Sequence, residues 1–303
     1  MKLDSILKTS LDELRMQMLG SQVLFGFQFQ GLFQDNFDSL PSAGRNADAA
    51  GLALMIVALA LIVAVPCQHR IVEHGESTAR ILRISSSFAN YALAPIAAAI
   101  ACDVYVATVH VLGNRRSGAL AFVAFALASA GWYLAGMAIR HIGKNHPGGS
   151  FMQESPTPLH AKIEQSLTEA RVILPGAQAL LGFQLIVMMT RAFDQLTPAA
   201  QTIHLIALMS LVLAIVLLIS PAAIHRVAFQ GRDDRRFVGT ASLILTVALV
   251  PLAASISCDM WVALFKLYGG NTLPTVAALI TAALLSGLWF LLPLAIRASR
   301  RAQ

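Results

Sequence analysis

The chain alternates long apolar runs with short polar breaks, and the same succession of runs occurs twice. Apolar positions dominate Met16–Phe33, Ala49–Val65, Ile84–Leu112 and Ala119–Ile139, then Val172–Met189, Ile203–Ile219, Phe237–Leu267 and Thr275–Ile296. A helix crossing the bilayer core takes about 20 such residues. No segment shows the period-two alternation of a membrane strand. The first run carries Gln17, Gln22, Gln28 and Gln30 and would be a weak span alone, but its copy is plainly apolar. The pattern predicts an all-α polytopic membrane protein with eight transmembrane helices, four in each half.

The second set of runs copies the first at a constant offset of 156 residues, that between Asp103 and Asp259. The clearest block is Ala94–Ala107 against Val250–Ala263. Each has one proline (Pro95, Pro251), one cysteine (Cys102, Cys258) and one aspartate (Asp103, Asp259) in the same order. The offset also carries Glu13 and Arg15 onto Glu169 and Arg171, Gln22 onto Gln178, and Gly26-Phe27-Gln28 onto Gly182-Phe183-Gln184. It carries Phe37-Asp38 onto Phe193-Asp194, His69-Arg70 onto His225-Arg226, Arg80 onto Arg236, and Gly113 onto Gly269. A register held this far without net gaps marks a duplication. The expected division is a first repeat over 1–142, a cytoplasmic linker over 143–168 and a second repeat over 169–303. An even helix count inserts both units the same way up, so the repeats are expected to be parallel.

Composition agrees with this class. Of 303 residues, 56% are hydrophobic and 13% charged, and the mean hydropathy is +0.67. A soluble domain of this size needs more charge to cover its surface. The net charge of +6 lies between the apolar runs, which is a topology signal and not a nucleic-acid footprint. With the N-terminus inside, Arg45, Arg115, Arg116, Arg191 and Lys266 are the outside basic residues, and the other 17 of 22 are inside. Both termini and the Gly143–Gln165 stretch are therefore expected in the cytoplasm. Cys67, Cys102 and Cys258 form no CxxC pair, so neither a disulfide framework nor a zinc site is expected. Met1–Arg15 mixes charged and apolar residues, as in an amphipathic lead-in helix and unlike a cleaved signal peptide.

Thr168–Gln184, read as TEARVILPGAQALLGFQ, then Phe193-Asp194 and Pro221–Arg226, read as PAAIHR, resemble a family of bacterial integral membrane proteins of unknown function. The resemblance covers each half, better in the second, so the chain looks like two tandem family units. The first half departs from the pattern: Leu19 stands in place of Pro175, and the proline of Pro221 is shifted to Pro66. Units of that family are sometimes labelled sodium:proton antiporter. The resemblance therefore implies a bacterial inner membrane and a small cation or proton as partner.

Asp103 and Asp259 are the first candidates, because a carboxylate at membrane depth usually faces a bundle interior or a wet cavity. The plainer reading pairs them with an outside arginine such as Arg116 or Arg191. Lys266, two turns beyond Asp259 where the first half has His110, is expected to favour the ionised form of Asp259 and leave Asp103 the easier to protonate and the more sensitive site. Pro95 and Pro251 free carbonyls and kink their helices, which serves either shape or an ion path. Gln22, Gln28, Gln178 and Gln184 are a candidate polar path, with interhelical hydrogen bonding as the alternative. Glu13, Arg15, His69, Arg70 and Arg80, with Glu169, Arg171, His225, Arg226 and Arg236, form a cytoplasmic cluster expected to anchor the chain or bind anionic lipid.

No haem, metal or other cofactor is expected, since the duplicated histidines sit beside arginines at helix ends. No nucleophile elbow, phosphate loop or zinc-protease motif appears, so no enzyme is expected. The leading expectation is a membrane transporter or channel for a small cation, proton coupling included, built on the two aspartates. The alternative is a non-catalytic scaffold or accessory subunit whose polar residues only pack helices.

Overall fold

The computed structural model describes residues 3–134, 157–230 and 232–301, and all regular structure among them is helical. The helices are α1 (Leu3–Gly31), α2 (Ser42–Ile71), α3 (Ala79–Ser129, continued by a π-helical turn at Ala130–Leu134) and α4 (Leu159–Val187). They continue with α5 (Pro198–Val227), α6 (Arg235–Tyr268), α7 (Leu273–Ser286), a π-helical turn at Gly287–Leu291, and α8 (Leu292–Arg301). Side-chain caps fix several starts: Thr78 accepts from the Ile81 amide, Thr197 from Ala200 and Asp234 from Arg236. Pro198 also opens α5, where its missing N–H costs nothing.

Among the described residues, six segments are long and apolar enough to cross a membrane: Ser42–Ile71, Ala79–Leu134, Leu159–Val187, Pro198–Val227, Arg235–Tyr268 and Leu273–Arg301. α1 is not among them. Its charged lead-in and its first apolar run merge into one 29-residue helix whose Lys8, Asp12, Glu13, Arg15 and glutamines keep it polar. The Ala79–Leu134 segment has 56 residues, about 84 Å if straight and far beyond one bilayer. It is broken at Gly113, where φ is 73°. The equivalent Gly269, φ 77°, ends α6. Left-handed backbone of this kind is open to glycine at little cost. The duplication thus extends to the conformation of one turn.

α1 and α4 form the centre. Lys8 Nζ lies 2.5 Å from Glu164 Oε1, and the Phe27 and Phe183 rings are 4.6 Å apart. Each contact joins a residue to its own copy. The two contacts are 19 residues apart on either helix, roughly 28 Å, so α1 and α4 run parallel and in register. Gly26 makes the approach possible: a Cβ there would lie 2.1 Å from Phe183 Cδ2. Gly176 does the same for Gln22, whose Oε1 would be 1.5 Å from an added Cβ. Phe25, Phe29, Leu180 and Val187 fill the core along this seam. α2 and α3 pack beside α1, and α5 and α6 beside α4. Trp289, fully buried in the second π-helical turn, donates its indole N–H to the Ala60 carbonyl of α2 at 3.1 Å. This ties the end of the second half to the first.

The expected linker differs in part. Residues 143–156 lie outside the described residues, but 159–168 are helical, because α4 begins at Leu159 after Pro158. At this end Glu76 meets the Lys162 ammonium and the Thr157 amide, and Gln165 reaches Ser77 Oγ at 2.9 Å. These bonds join the turn after α2 to the start of the second half.

Gly26→Ala is expected to destabilise the protein by about 1–3 kcal/mol through overpacking, whereas Gly182→Ala, with nothing within 4 Å of its Cβ, should be near neutral. Denaturant unfolding in detergent measures both, and adding Phe183→Ala should remove most of the Gly26→Ala effect.

Candidate functional site

Three helices of the first half converge on one polar point inside an apolar bundle. α1 brings Gln28, the start of α2 brings Asp48, and the middle of α3 brings Asp103. Gln28 Nε2 donates to Asp103 Oδ1 at 2.8 Å. Gly51, one turn along from Asp48, gives the amide room: a Cβ there would lie 2.9 Å from Gln28 Nε2. Asp48 and Gln28 are 4% and 5% exposed, and Asp48 Oδ2 and Gln28 Oε1 have no hydrogen-bond partner. Asp103 is half-buried. All three line a cavity of about 350 Å³ whose remaining walls include Leu24, Phe27 and Phe37. Among the described residues, no basic side chain lines it.

The second half repeats the bond and closes the space. Gln184 Nε2 donates to Asp259 Oδ2 at 2.6 Å and to Ser255 Oγ at 3.1 Å. Asp259 is fully buried, and its Oδ1 has no partner. His204 stands where the first half has Asp48, and Ala207 where it has Gly51. His204 Nε2 lies 3.1 Å from the Gln184 carbonyl, which can only accept, so that nitrogen carries the hydrogen. The imidazole stacks on Phe29 (5.7 Å, 14°) and meets the edge of Phe193 at 5.3 Å. Two carboxylates beside a cavity in one copy are thus matched by one sealed carboxylate in the other.

The sequence candidates separate on this frame. Gln28 and Gln184 are partners of the aspartates. Gln22 is buried against Gly176 with neither side-chain atom bonded, and Gln178 is exposed, so the four glutamines form no continuous path. Lys266 pairs with Asp38 at 2.7 Å, across the two halves, which leaves its charge shared with a nearer acid. Tyr268 adds a second crossing by donating to Asn46 Oδ1 at 2.7 Å. The partners of the aspartates are amides, not Arg116 or Arg191. Pro95 lies inside α3, ahead of its break at Gly113, and Pro251 lies inside α6.

The charged cluster at the far end of α2 assembles once. His69 Nδ1 lies 2.5 Å from Glu169 Oε1 and Arg70 Nη1 3.0 Å from Glu169 Oε2, all three buried. Arg80 pairs with Glu73 at 2.6 Å and reaches Gln68 Oε1 at 3.2 Å. Glu13, the copy of Glu169, is exposed, as are Arg15, Arg171, Arg226 and Arg236. His225 packs on Phe237, ring to ring at 4.7 Å.

Asp48, Ser255 and His204 are site residues that the sequence reading did not select. The signal for Asp48 was its lone charge at the head of an apolar run.

A match to one family over residues 1–136, and again over 158–293, covers most of the chain. The chain belongs to a family of unknown function (DUF6328). It therefore holds two DUF6328 units in tandem, and each contributes one glutamine–aspartate bond between its first and third helices. No curated protein and no solved structure matches the chain.

Gln184→Leu is expected to cost about 1–3 kcal/mol, because nothing, water included, can replace the donor to a fully buried Asp259. Gln28→Leu should cost less, since the cavity admits water to Asp103. Thermal unfolding of both variants in the same detergent checks the order, which fails if Gln28→Leu is the worse.

Proposed function

We propose that this protein is a membrane transporter or channel for a small cation, proton coupling included, and that Asp48 and Asp103 hold the ion or proton. The observation that carries the reading is the pair of carboxylates in one cavity with no basic side chain on its walls. An intramembrane acid is costly and usually functional. Two that share a site repel when both are ionised, so a proton or a bound cation lowers the free energy. Asp48 Oδ2 and Gln28 Oε1 are unpartnered oxygens, and oxygen ligands suit hard cations. Asp259, sealed behind His204 and Gln184, serves as a packing bond between α4 and α6 in this reading; the scaffold alternative fits that half.

The arrangement that goes with it is eight spans in two parallel four-helix repeats, related by a pseudo-two-fold along the membrane normal, in a bacterial inner membrane. The parallel register of α1 and α4 and the matching breaks at Gly113 and Gly269 support it, and the distribution of basic residues favours cytoplasmic termini.

Flux of sodium ions and protons in proteoliposomes tests the function. Asp48→Asn and Asp103→Asn should each lower flux at least tenfold, while Asp259→Asn should lower stability and leave flux in the folded fraction near wild type. Wild-type protein that moves neither ion, or variants indistinguishable from it, would leave the scaffold reading in place.

A further inference from the structure

A second polar cavity lies at the other end of the bundle. Asp48 and Arg70 are 22 residues apart on α2, about 33 Å, so it is remote from the cation site. Its volume is about 160 Å³, and four segments line it. His69 and Arg70 come from the end of α2, His74 and Gly75 from the following turn, Ser166 and Glu169 from α4, and Gly239 and Ser242 from α6. His74 and Gly75 both hold left-handed backbone, φ 52° and 77°, in this turn.

The donors in this pocket exceed the acceptors. Glu169 is its carboxylate, and both of its oxygens are already taken, by His69 and Arg70. Arg70 is 4% exposed and uses only Nη1; its Nε and Nη2 are buried without a partner. Native proteins leave few such groups unpaired, and each costs free energy unless something accepts from it. Nε and Nη2 form one edge of the guanidinium, the edge that grips two oxygens of an oxyanion side by side. The surroundings are electropositive as well. His74, in the turn outside the helices, is held below the ordinary histidine range first by burial, then by Arg297, Arg301 and Lys162, with Glu73 opposing.

We propose that this pocket binds a phosphate-bearing anion, gripped by the Nε–Nη2 edge of Arg70. The phosphate comes either from a free phosphate ion or from the headgroup of an anionic phospholipid. Both present two unshared oxygens at the spacing that edge requires.

The test uses the full chain purified in detergent. One arm titrates inorganic phosphate against chloride at equal ionic strength and follows thermal unfolding. The other adds phosphatidylglycerol or phosphatidylcholine and counts retained lipid by native mass spectrometry. A saturable rise in unfolding temperature with phosphate alone identifies the free ion; selective retention of phosphatidylglycerol identifies the headgroup. Arg70→Gln should abolish whichever signal appears. Because that change strands Glu169, Gly239→Leu is the second variant. It adds bulk at the pocket wall where a Cβ meets nothing within 4 Å, and should weaken binding at least tenfold while the protein still folds. Wild type that responds to neither probe, or a signal that survives Gly239→Leu unchanged, overturns the proposal.

Discussion

An acid inside a helix bundle needs a donor from another helix, and here the donor is a glutamine amide in both halves. Gln28 and Gln184 each reach a carboxylate 75 residues further along the chain. The bond fixes the rotation of the first helix of each unit against its third, because an amide misaimed by one residue would turn toward apolar neighbours. A buried carboxylate without a donor costs far more than a satisfied pair contributes. Glycines where helices must nearly touch, such as Gly51, Gly26 and Gly176, follow from the same requirement of close approach.

The two units use this frame differently, and the difference rests on two substitutions. Asp48 against His204 changes the charge beside the amide, and Gly51 against Ala207 changes the space beside it. In the second unit the imidazole is clamped by Phe29 and Phe193 and bonded to the Gln184 backbone, so no room is left for a solvent path to Asp259. In the first unit the matching position carries a second acid and opens on a cavity. The copies share a backbone and divide the labour of packing and polarity between them.

Much of this was legible in the residues, because duplication makes a sequence annotate itself. The helical class can be read from the apolar runs, and the tandem units, the paired aspartates and the matching of Gly113 with Gly269 from the offset. Contacts between helices could not. Spacing along α6 suggests that Lys266 serves Asp259, but the chain brings Asp38 of the other half closer. Asp48 was passed over because duplication drew attention to repeated residues, and Asp48 is an acid that its copy lacks. The start of α4 was placed late because His160, Lys162 and Glu164 dilute its first turns, although Pro158 marks the boundary. The extent of α1 was misjudged for a related reason: its polar lead-in is held in the helix by tertiary contacts of Leu7, Leu11 and Leu14, all fully buried.

The meeting of Phe27 with Phe183, and of Lys8 with Glu164, has a consequence for how such an assembly could be altered. In a symmetric homodimer of a single unit, any residue on the axis faces itself, so its side chain must be self-compatible. Phenylalanine satisfies that condition; lysine does not, since two ammonium groups would be brought together. Joining the units in one chain lifts the restriction, and position 8 can then face an acid. The covalent link also holds the second unit at high effective concentration whatever the strength of the seam. Fusion therefore frees each axial position to specialise, and the Lys8–Glu164 pair is a mark of symmetry that has been broken with the contact retained.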